Sequence, residues 1–376
     1  MNKQLHIVAL TVPYPPDYGG VIDLFYKLPA LHAQGVQIHL HCFDYGRGKQ
    51  KELEQYCASV SYYERTLHHT SITNRLPYIV SSRRNEVLLQ RLLQDDLPIL
   101  LEGVHCSWLL HDKRFAHRRC FLRLHNVEYI YYDGLLRSGS SLLKKVYYWL
   151  ESRLLKRWEQ LVCNKAFVFT VSESDVTIYQ KLGCSNIAYL PLFIPDWRVN
   201  ALPGMGRYCL YHGDLSVDAN EEAVKWLLQK VFSKLSLPLI ITGKNPSEQL
   251  AGLIGRNTNA QLVANPSDGQ LQELIAQAHI HVLPAFTNTG IKIKLLNTLF
   301  NGRHCVVNPA MIEGSGLDTL CHSGSTANAF TEIIAQLYHQ PFSQEEIDLR
   351  KKLLEGRFDN SVNAARMVSR IWPLNP

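Results

Sequence analysis

Apolar positions along this chain fall into two alternating registers. Short runs dense in aliphatic and aromatic residues lie at 5–10 (LHIVAL), 36–42 (VQIHLHC), 98–101 (PILL), 120–124 (CFLRL), 166–171 (AFVFTV) and 187–192 (IAYLPL), and read as strands. Helical spacing occupies about 20–34, 84–94, 141–161 and 173–182 between them. Strand–helix alternation predicts a parallel, doubly wound sheet. The stretch PLFIPDWRVNALPGMG, rich in Pro and Gly and without periodicity, interrupts the pattern and reads as a linker. The alternation then restarts. Strand 208–211 leads to a helix with Asn220 near its cap, whose stripe is Ala223, Val224, Leu227, Leu228, Val231 and Phe232. Strands at 237–242, 261–264, 279–283 and 304–307 follow.

The pattern therefore predicts an α/β protein of two facing, Rossmann-like doubly wound domains with a cleft between them. The expected divisions are residues 1–195, a linker at 196–206, residues 207–355, and a C-terminal helix in 356–376 packing back on the first domain. In open sheets of this kind ligands bind beyond the carboxyl ends of the strands. That rule selects residues 14–20, Glu102, His125 and Ser172 in the first half, and Gly213, Asp214, Gly243, Lys244 and residues 284–289 in the second.

Composition narrows the partners. With 39 basic and 33 acidic residues, a net charge of +6 favours anionic ligands weakly and is too mild for a nucleic-acid binder. Nine cysteines without a C-x-x-C pair fit thiols in a reducing compartment. The opening MNKQLHIVALTVPYPP is too short and polar for a signal peptide, and no apolar run reaches about 18 residues, so the expectation is a cytoplasmic protein.

The most informative segment is PAFTNTGIKIKLLNTLFNG, residues 284–302. It predicts a strand end, a polar turn, and a helix over 291–301 with Asn288 or Thr289 as N-cap and Gly302 as stop. Ile291, Leu295, Leu296, Leu299 and Phe300 make one face, while Lys294, Asn297 and Asn301 share the other. Lys292 and Lys294 open this helix without a carboxylate. Each exposed lysine there is disfavoured by roughly 0.3–1 kcal/mol, because a helix N-terminus carries partial positive charge. An anion such as phosphate would reverse that penalty, held by lysines and backbone N–H groups together.

Three further stretches carry candidate chemistry. In PYPPDYGG, Gly19 and Gly20 open a helix and allow close backbone approach to a ligand, although neither G-x-G-x-x-G nor G-x-x-x-x-G-K-[ST] occurs. In RLHNVEY, His125 leaves a strand toward the expected cleft, and LLEGVH places Glu102 similarly. SESD at 172–175 is explained as a capping box. The pair at 68–69, HH, lacks partners at metal-ligand spacing, so no metal site is expected.

Together these segments resemble the group 1 glycosyltransferases, family 4, of the GT-B fold, over nearly the full chain and most specifically in its second half. YHGDLSVDANEEAVKWLLQKVF looks like the family's glycine turn and following helix, and LIITGKNP like its i-x-G-x-x-P turn. TGIKIKLLNTLFNGRHCVVNPAMIEGSGL resembles the segment G-x-x-x-K-x-x-E-A-x-x-x-G-x-P-V-V, with Lys294 on the lysine and Gly302 on the glycine. PPDYGG and RLHNVEY resemble the glycine loop and histidine strand of the N-terminal half. Where the family carries two glutamates, this chain has Thr289 and Asn297.

The resemblance implies a retaining transfer of sugar from a nucleotide diphosphate to an acceptor hydroxyl, in surface polysaccharide or other glycan synthesis. It implies donor binding by Gly19, Gly20, Gly213, Asp214, Gly243, Thr289, Gly290, Ile291, Lys292, Lys294 and Asn297. His125 would touch the transferred sugar and Glu102 would lie on the acceptor side. No cofactor or metal is required, the partners being a nucleotide sugar and a glycan or lipid-linked acceptor. Two other readings stay open: a non-catalytic glycosyltransferase-like subunit, and a sugar-nucleotide epimerase or hydrolase on the same fold. Helix 141–161 suggests peripheral contact with the inner face of a membrane through Lys145, Tyr148, Trp149 and Lys156, with Leu143, Tyr147, Leu150, Leu154, Trp158 and Leu161 turned inward. A helix packed in its own domain is the preferred alternative.

Overall fold

The computed structural model describes residues 3–17, 19–66, 76–138, 141–286 and 292–373. The chain divides into unit 1, Met1–Pro195 with Phe358–Pro376, and unit 2, Asp196–Arg357.

Unit 1 is built on β1 (Lys3–Ala9), β2 (Val36–Asp44), β3 (Ser59–Glu64), β4 (Ile99–Glu102), β5 (Cys120–Leu124), β6 (Phe167–Thr170) and β7 (Ile187–Tyr189), in the order β3-β2-β1-β4-β5-β6-β7. Every pairing is parallel. Alternate residues feed cores on its two faces. Leu5, Ile7, Ala9 and Leu100 join Leu24, Leu28 and Leu31 of the Gly19–Ala33 helix on one side. Met367, Val368 and Ile371 of the C-terminal Asn360–Ile371 helix enter the same core, so the chain's last helix is integral to unit 1. Val8, Ile99, Leu101 and Leu122 face the other way, against Leu155, Trp158 and Val162 of the Leu142–Val162 helix.

Unit 2 is built on β8 (Cys209–His212), β9 (Leu239–Gly243), β10 (Ala260–Ala264), β11 (Ile280–Leu283), β12 (His304–Val307) and β13 (His322–Ser323), in the order β10-β9-β8-β11-β12-β13, again all parallel. Each sheet has a point where successive connections turn to opposite sides, between β1 and β4 in unit 1 and between β8 and β11 in unit 2. Such points are where doubly wound sheets hold ligands.

Several expectations need correction. The pattern misses β3, a half-buried edge strand, and the Glu128–Ser138 helix, whose Tyr- and Gly-containing sequence has no clean apolar stripe. It also misses two-residue β13. Asn220 lies in the first turn of the Asp218–Trp226 helix, three residues after its cap Val217. The lysine-bearing helix runs Ile293–Asn301 with Lys292 as N-cap and no capping side chain. Asn288 and Thr289, and also His68 and His69, lie outside the described residues. Gly302 does end that helix, but in extended geometry: a Cβ there would meet His281 Nε2 at 2.2 Å, so close approach requires the glycine, not left-handed backbone. Ser172 caps its helix by accepting from the Asp175 N–H, without the reciprocal bond of a capping box.

The Leu142–Val162 helix is turned differently from expectation. Leu154 and Trp158 are buried, but Leu143 is 83% exposed, and Leu150 and Leu161 are exposed as well. Glu151 and Glu159 take places in the buried stripe because each satisfies backbone donors. Glu151 accepts from the Ile79 N–H at 3.1 Å. Glu159 accepts from the N–H groups of Glu128 and Tyr129 at 3.0 and 3.2 Å, capping the Glu128–Ser138 helix from outside.

Candidate functional site

In unit 2 the site grows from the turn after β8 and the helix that follows β11. Lys294, in the first turn of the Ile293–Asn301 helix, donates to Asn220 Oδ1 at 2.8 Å and Tyr211 Oη at 3.3 Å, with its ammonium 5.0 Å from the Tyr211 ring centroid. Tyr211 is fully buried and also donates to Asn220 Oδ1, while Asn220 Nδ2 donates to the Asp214 carbonyl at 2.8 Å. Asn220 thus ties the strand, the turn and the lysine together. Among the described residues no carboxylate pairs with Lys294. Burial first, and the charge of Lys292 second, push its pKa down to about 7. Beneath it, His212 Nε2 lies 2.9 Å from Thr298 Oγ1, and burial followed by Lys294 pushes this imidazole down to about 3.

The glycines and Asp214 shape this turn. A Cβ at Gly243 would stand 1.8 Å from the Gly213 carbonyl oxygen, so Gly243 is required by packing of the two strand ends. The Leu215 N–H donates to the Lys244 carbonyl at 2.9 Å, closing the same contact. Asp214 is occupied locally, accepting from the Ser216 N–H and hydroxyl at 3.0 and 2.7 Å. Asn297 is buried rather than on a solvated face, and its Oδ1 accepts from Asn301 Nδ2 at 2.8 Å. Lys292 stands at the helix N-cap; Thr289, Gly290 and Ile291 lie outside the described residues.

Unit 1 gathers a second polar cluster at its own switch point. Gly19 and Gly20 open the Gly19–Ala33 helix, whose next turns bring Asp23 and Lys27 inward, both buried. Asp23 accepts from Arg123 at 2.9 and 3.2 Å, Lys27 at 3.1 Å, the Phe193 N–H at 2.8 Å and His125 Nε2 at 2.8 Å. Desolvation is the largest influence on this carboxyl and raises its pKa. Arg123, Lys27 and His125 together outweigh it and hold the group well below the usual carboxylate range.

Glu102 is 0% exposed and bound to Lys27 at 2.6 Å, which corrects its expected place beside an acceptor. Its other oxygen sits 3.6 Å from His125 Nε2. Asp23, Glu102 and His125 offer donor atoms within 4.8 Å of one another, but Lys27 and Arg123 already balance the two carboxylates, so a divalent ion would add uncompensated charge. With Nε2 tied to Asp23, the polar atom His125 has left for a ligand is Nδ1.

Asp23, Lys27, Arg123, Tyr211 and Asn220 escape a reading for ligands at strand ends. Their signal is charge in apolar surroundings: Asp23 and Lys27 at i, i+4 beside the stripe Val21–Leu24–Leu28, and Arg123 within the strand CFLRL.

Residues 206–340 match the family model described as "Glycosyl transferases group 1". A curated relative, an "Uncharacterized 44.6 kDa protein in cps region" of Klebsiella pneumoniae, is 26% identical over 331 residues, 82% of this chain and 84% of the relative. Among solved structures, sucrose-phosphate synthase from Thermosynechococcus elongatus superposes with TM-score 0.71 at 12% identity, covering 98% of each chain. Anabaena Alr3699/HepE, in complex with UDP and glucose, superposes with TM-score 0.66 at 12% identity, covering 99% of this chain and 100% of its own.

Proposed function

We propose that this chain, a group 1 glycosyltransferase of the GT-B fold, moves a sugar from a nucleotide diphosphate to a hydroxyl of a glycan or lipid-linked acceptor, with retention, in surface polysaccharide synthesis. The observation that carries this reading is Lys294, a half-buried cation at a helix N-terminus that pairs only with neutral oxygens among the described residues. A diphosphate supplies the missing charge. The cps-region relative supports the polysaccharide role, and the UDP and glucose of the Anabaena structure support the donor class.

In this scheme the bond from the anomeric carbon to the diphosphate breaks while a bond from the same face of that carbon to the acceptor oxygen forms. The acceptor's proton passes to the leaving phosphate oxygen. Lys294, Lys292 and the N–H groups of the Ile293–Asn301 helix carry the charge that builds on the leaving group, so no divalent metal is called on. His125 hydrogen-bonds the transferred sugar through Nδ1, its ring fixed by Asp23.

One observation favours a second reading of the stereochemistry. A histidine held at 2.8 Å by a buried carboxylate is also the arrangement of a general base, and direct attack assisted by His125 would invert the anomeric centre. The anomeric configuration of the product, read by NMR, separates the two.

The acceptor side suggests a membrane surface. Leu142 (78% exposed), Leu143, Val146 and Trp149 crowd the start of the Leu142–Val162 helix. Both acids of that helix are buried, so its exposed charges, Lys144, Arg153, Lys156 and Arg157, are all basic.

A panel of nucleotide sugars in thermal shift tests the donor assignment, since a ligand at 100 times its Kd adds about 2.7 kcal/mol. The selected donor is then assayed for transfer. Stabilisation without acceptor-dependent transfer makes the chain a non-catalytic subunit or a hydrolase; no stabilisation by any nucleoside diphosphate overturns the proposal.

A further inference from the structure

A second constellation lies in unit 2 at the opposite ends of the strands, away from Lys294. His304 is the first residue of β12 and His322 the first of β13. Val306 sits opposite His322 in the ladder, so His304, two residues back, projects to the same face of the sheet. The two rings stand 5.6 Å apart between centroids. Glu346, in the first turn of the Gln344–Leu354 helix, completes the group.

The hydrogen bonds around His304 fix its tautomer. Nε2 lies 3.0 Å from the Gln340 carbonyl, which can only accept, so Nε2 carries the proton and Nδ1 presents a lone pair. His304 is 3% exposed, and its Nδ1 has no hydrogen-bond partner among the described residues. That lone pair faces Glu346 Oε1 at 3.6 Å. The His304 acceptor is sealed from water while the carboxylate is only partly buried, and a cation between the two atoms would satisfy both.

We propose that His304, His322 and Glu346 form a three-ligand site for a divalent transition metal, suited to zinc, with its fourth position open to water. The donor set is two imidazoles and one carboxylate, and the three ligand atoms lie within 4.8 Å of one another. Bonds of about 2.0–2.1 Å at tetrahedral angles separate ligand atoms by roughly 3.4 Å. The His304–Glu346 separation of 3.6 Å is already close to this, and the half-buried His322 brings its ligand atom within 4.8 Å of both.

The outer contacts also suit a metal. His304 donates its other N–H to a backbone carbonyl, and Glu346 Oε2 accepts the Ser343 N–H at 2.9 Å, so both ligands are oriented by their far atoms. Arg350 opposes a second cation nearby, but its guanidinium is held by the carbonyls of Leu299, Gly302 and Arg303. Bound metal would pin the Gln344–Leu354 helix to β12 and β13. This role is structural and independent of the sugar-transfer proposal.

The test is zinc alone, titrated into the full-length chain after chelation and dialysis, with a competing chromophoric chelator as readout and Co²⁺ as a spectroscopic substitute. The expected result is one zinc per chain, a raised Tm with Zn²⁺ but not Mg²⁺, and visible d–d bands with Co²⁺. His322→Ala should weaken binding by about tenfold or more. Glu346→Gln should do the same while keeping an acceptor for the Ser343 N–H, which separates ligand loss from misfolding. Absence of zinc binding, or binding unchanged in both variants, overturns the proposal.

Discussion

Replacing Lys294 by Ala removes the one side chain that the donor proposal cannot do without. Its ammonium bonds Asn220 and Tyr211, both neutral, and its pKa stands at about 7. A bound diphosphate would restore the charged form and accept a charge-assisted hydrogen bond, worth about 1.5–3 kcal/mol. Lys294→Ala should therefore weaken a nucleoside diphosphate by roughly 10- to 150-fold, and Lys292→Ala by less. The pH dependence gives a second readout. Binding draws on the protonated lysine, so apparent Kd scales with 1 + 10^(pH − pKa). Between pH 7.5 and 9, where the ligand's own phosphate is fully ionised, the weaker binding left to the neutral lysine caps the effect, so wild-type affinity should fall roughly three- to fifteenfold, and Lys294→Ala should stay flat. Without ligand the sign reverses. The lysine's pKa is lower in the folded chain, so the unfolded chain binds more protons above pH 7 and stability rises with pH through that window. Calorimetric titration of the nucleoside diphosphate into each variant at several pH values decides the matter. Wild-type affinity in Lys294→Ala, or the same pH slope in both, refutes the assignment.

Three other outcomes follow from the same geometry. His125→Ala should lower turnover strongly and leave affinity for the sugar-free nucleotide unchanged; turnover surviving within about threefold, roughly 0.65 kcal/mol of barrier, would make His125 structural. Glu159 is raised to about 8, by burial first, so the folded chain holds its proton and stability falls as pH rises from the unfolded carboxyl's range through about 8. Glu159→Gln should flatten most of that decline in chemical denaturation, with Glu128, raised to about 7, leaving a smaller slope. Leu142→Ser with Leu143→Ser should abolish co-sedimentation with anionic vesicles at low salt, and wild-type protein that fails to sediment removes the membrane reading.

The sheets were legible because β1, β2, β4, β5, β8, β9, β11 and β12 are short apolar runs bounded by turn residues, and nothing in their environment opposes that preference. The strand-end rule then picked out Gly213 and His125, and the lysines at an uncapped helix start picked out Lys294, without tertiary information. It failed where polar groups are satisfied only by distant partners. Glu159 has no place in the inward stripe that spacing draws on its helix, yet its buried carboxyl caps the Glu128–Ser138 helix and accepts from Tyr179 Oη at 2.6 Å. With Glu151 it takes a place in the buried stripe, while Leu143 stands in solvent. Glu102 likewise looks available at a strand end, and Lys27, from a helix much earlier in the chain, claims it.

Asn297 stands where the family carries a glutamate, and its position on the helix gives that difference a physical meaning. It follows Lys294 by three residues and so lies on the adjoining turn of the same helix. A carboxylate there would pair with the lysine, raise its pKa and compete with the ligand for its charge; an asparagine leaves that charge to the ligand. Asn297→Glu should therefore move the pH midpoint of diphosphate binding upward from about 7, so that affinity at pH 9 exceeds wild type. Asn301 Nδ2 would still find an acceptor in the new carboxylate, so the fold should persist. Asn297→Ala, by contrast, removes at most a neutral hydrogen bond, about 0.5–1.5 kcal/mol, and should leave the midpoint where it is. Calorimetric titration across pH separates the two effects. A midpoint unmoved by Asn297→Glu would mean that the two side chains do not share an environment, and the charge-sparing account of this asparagine would fail.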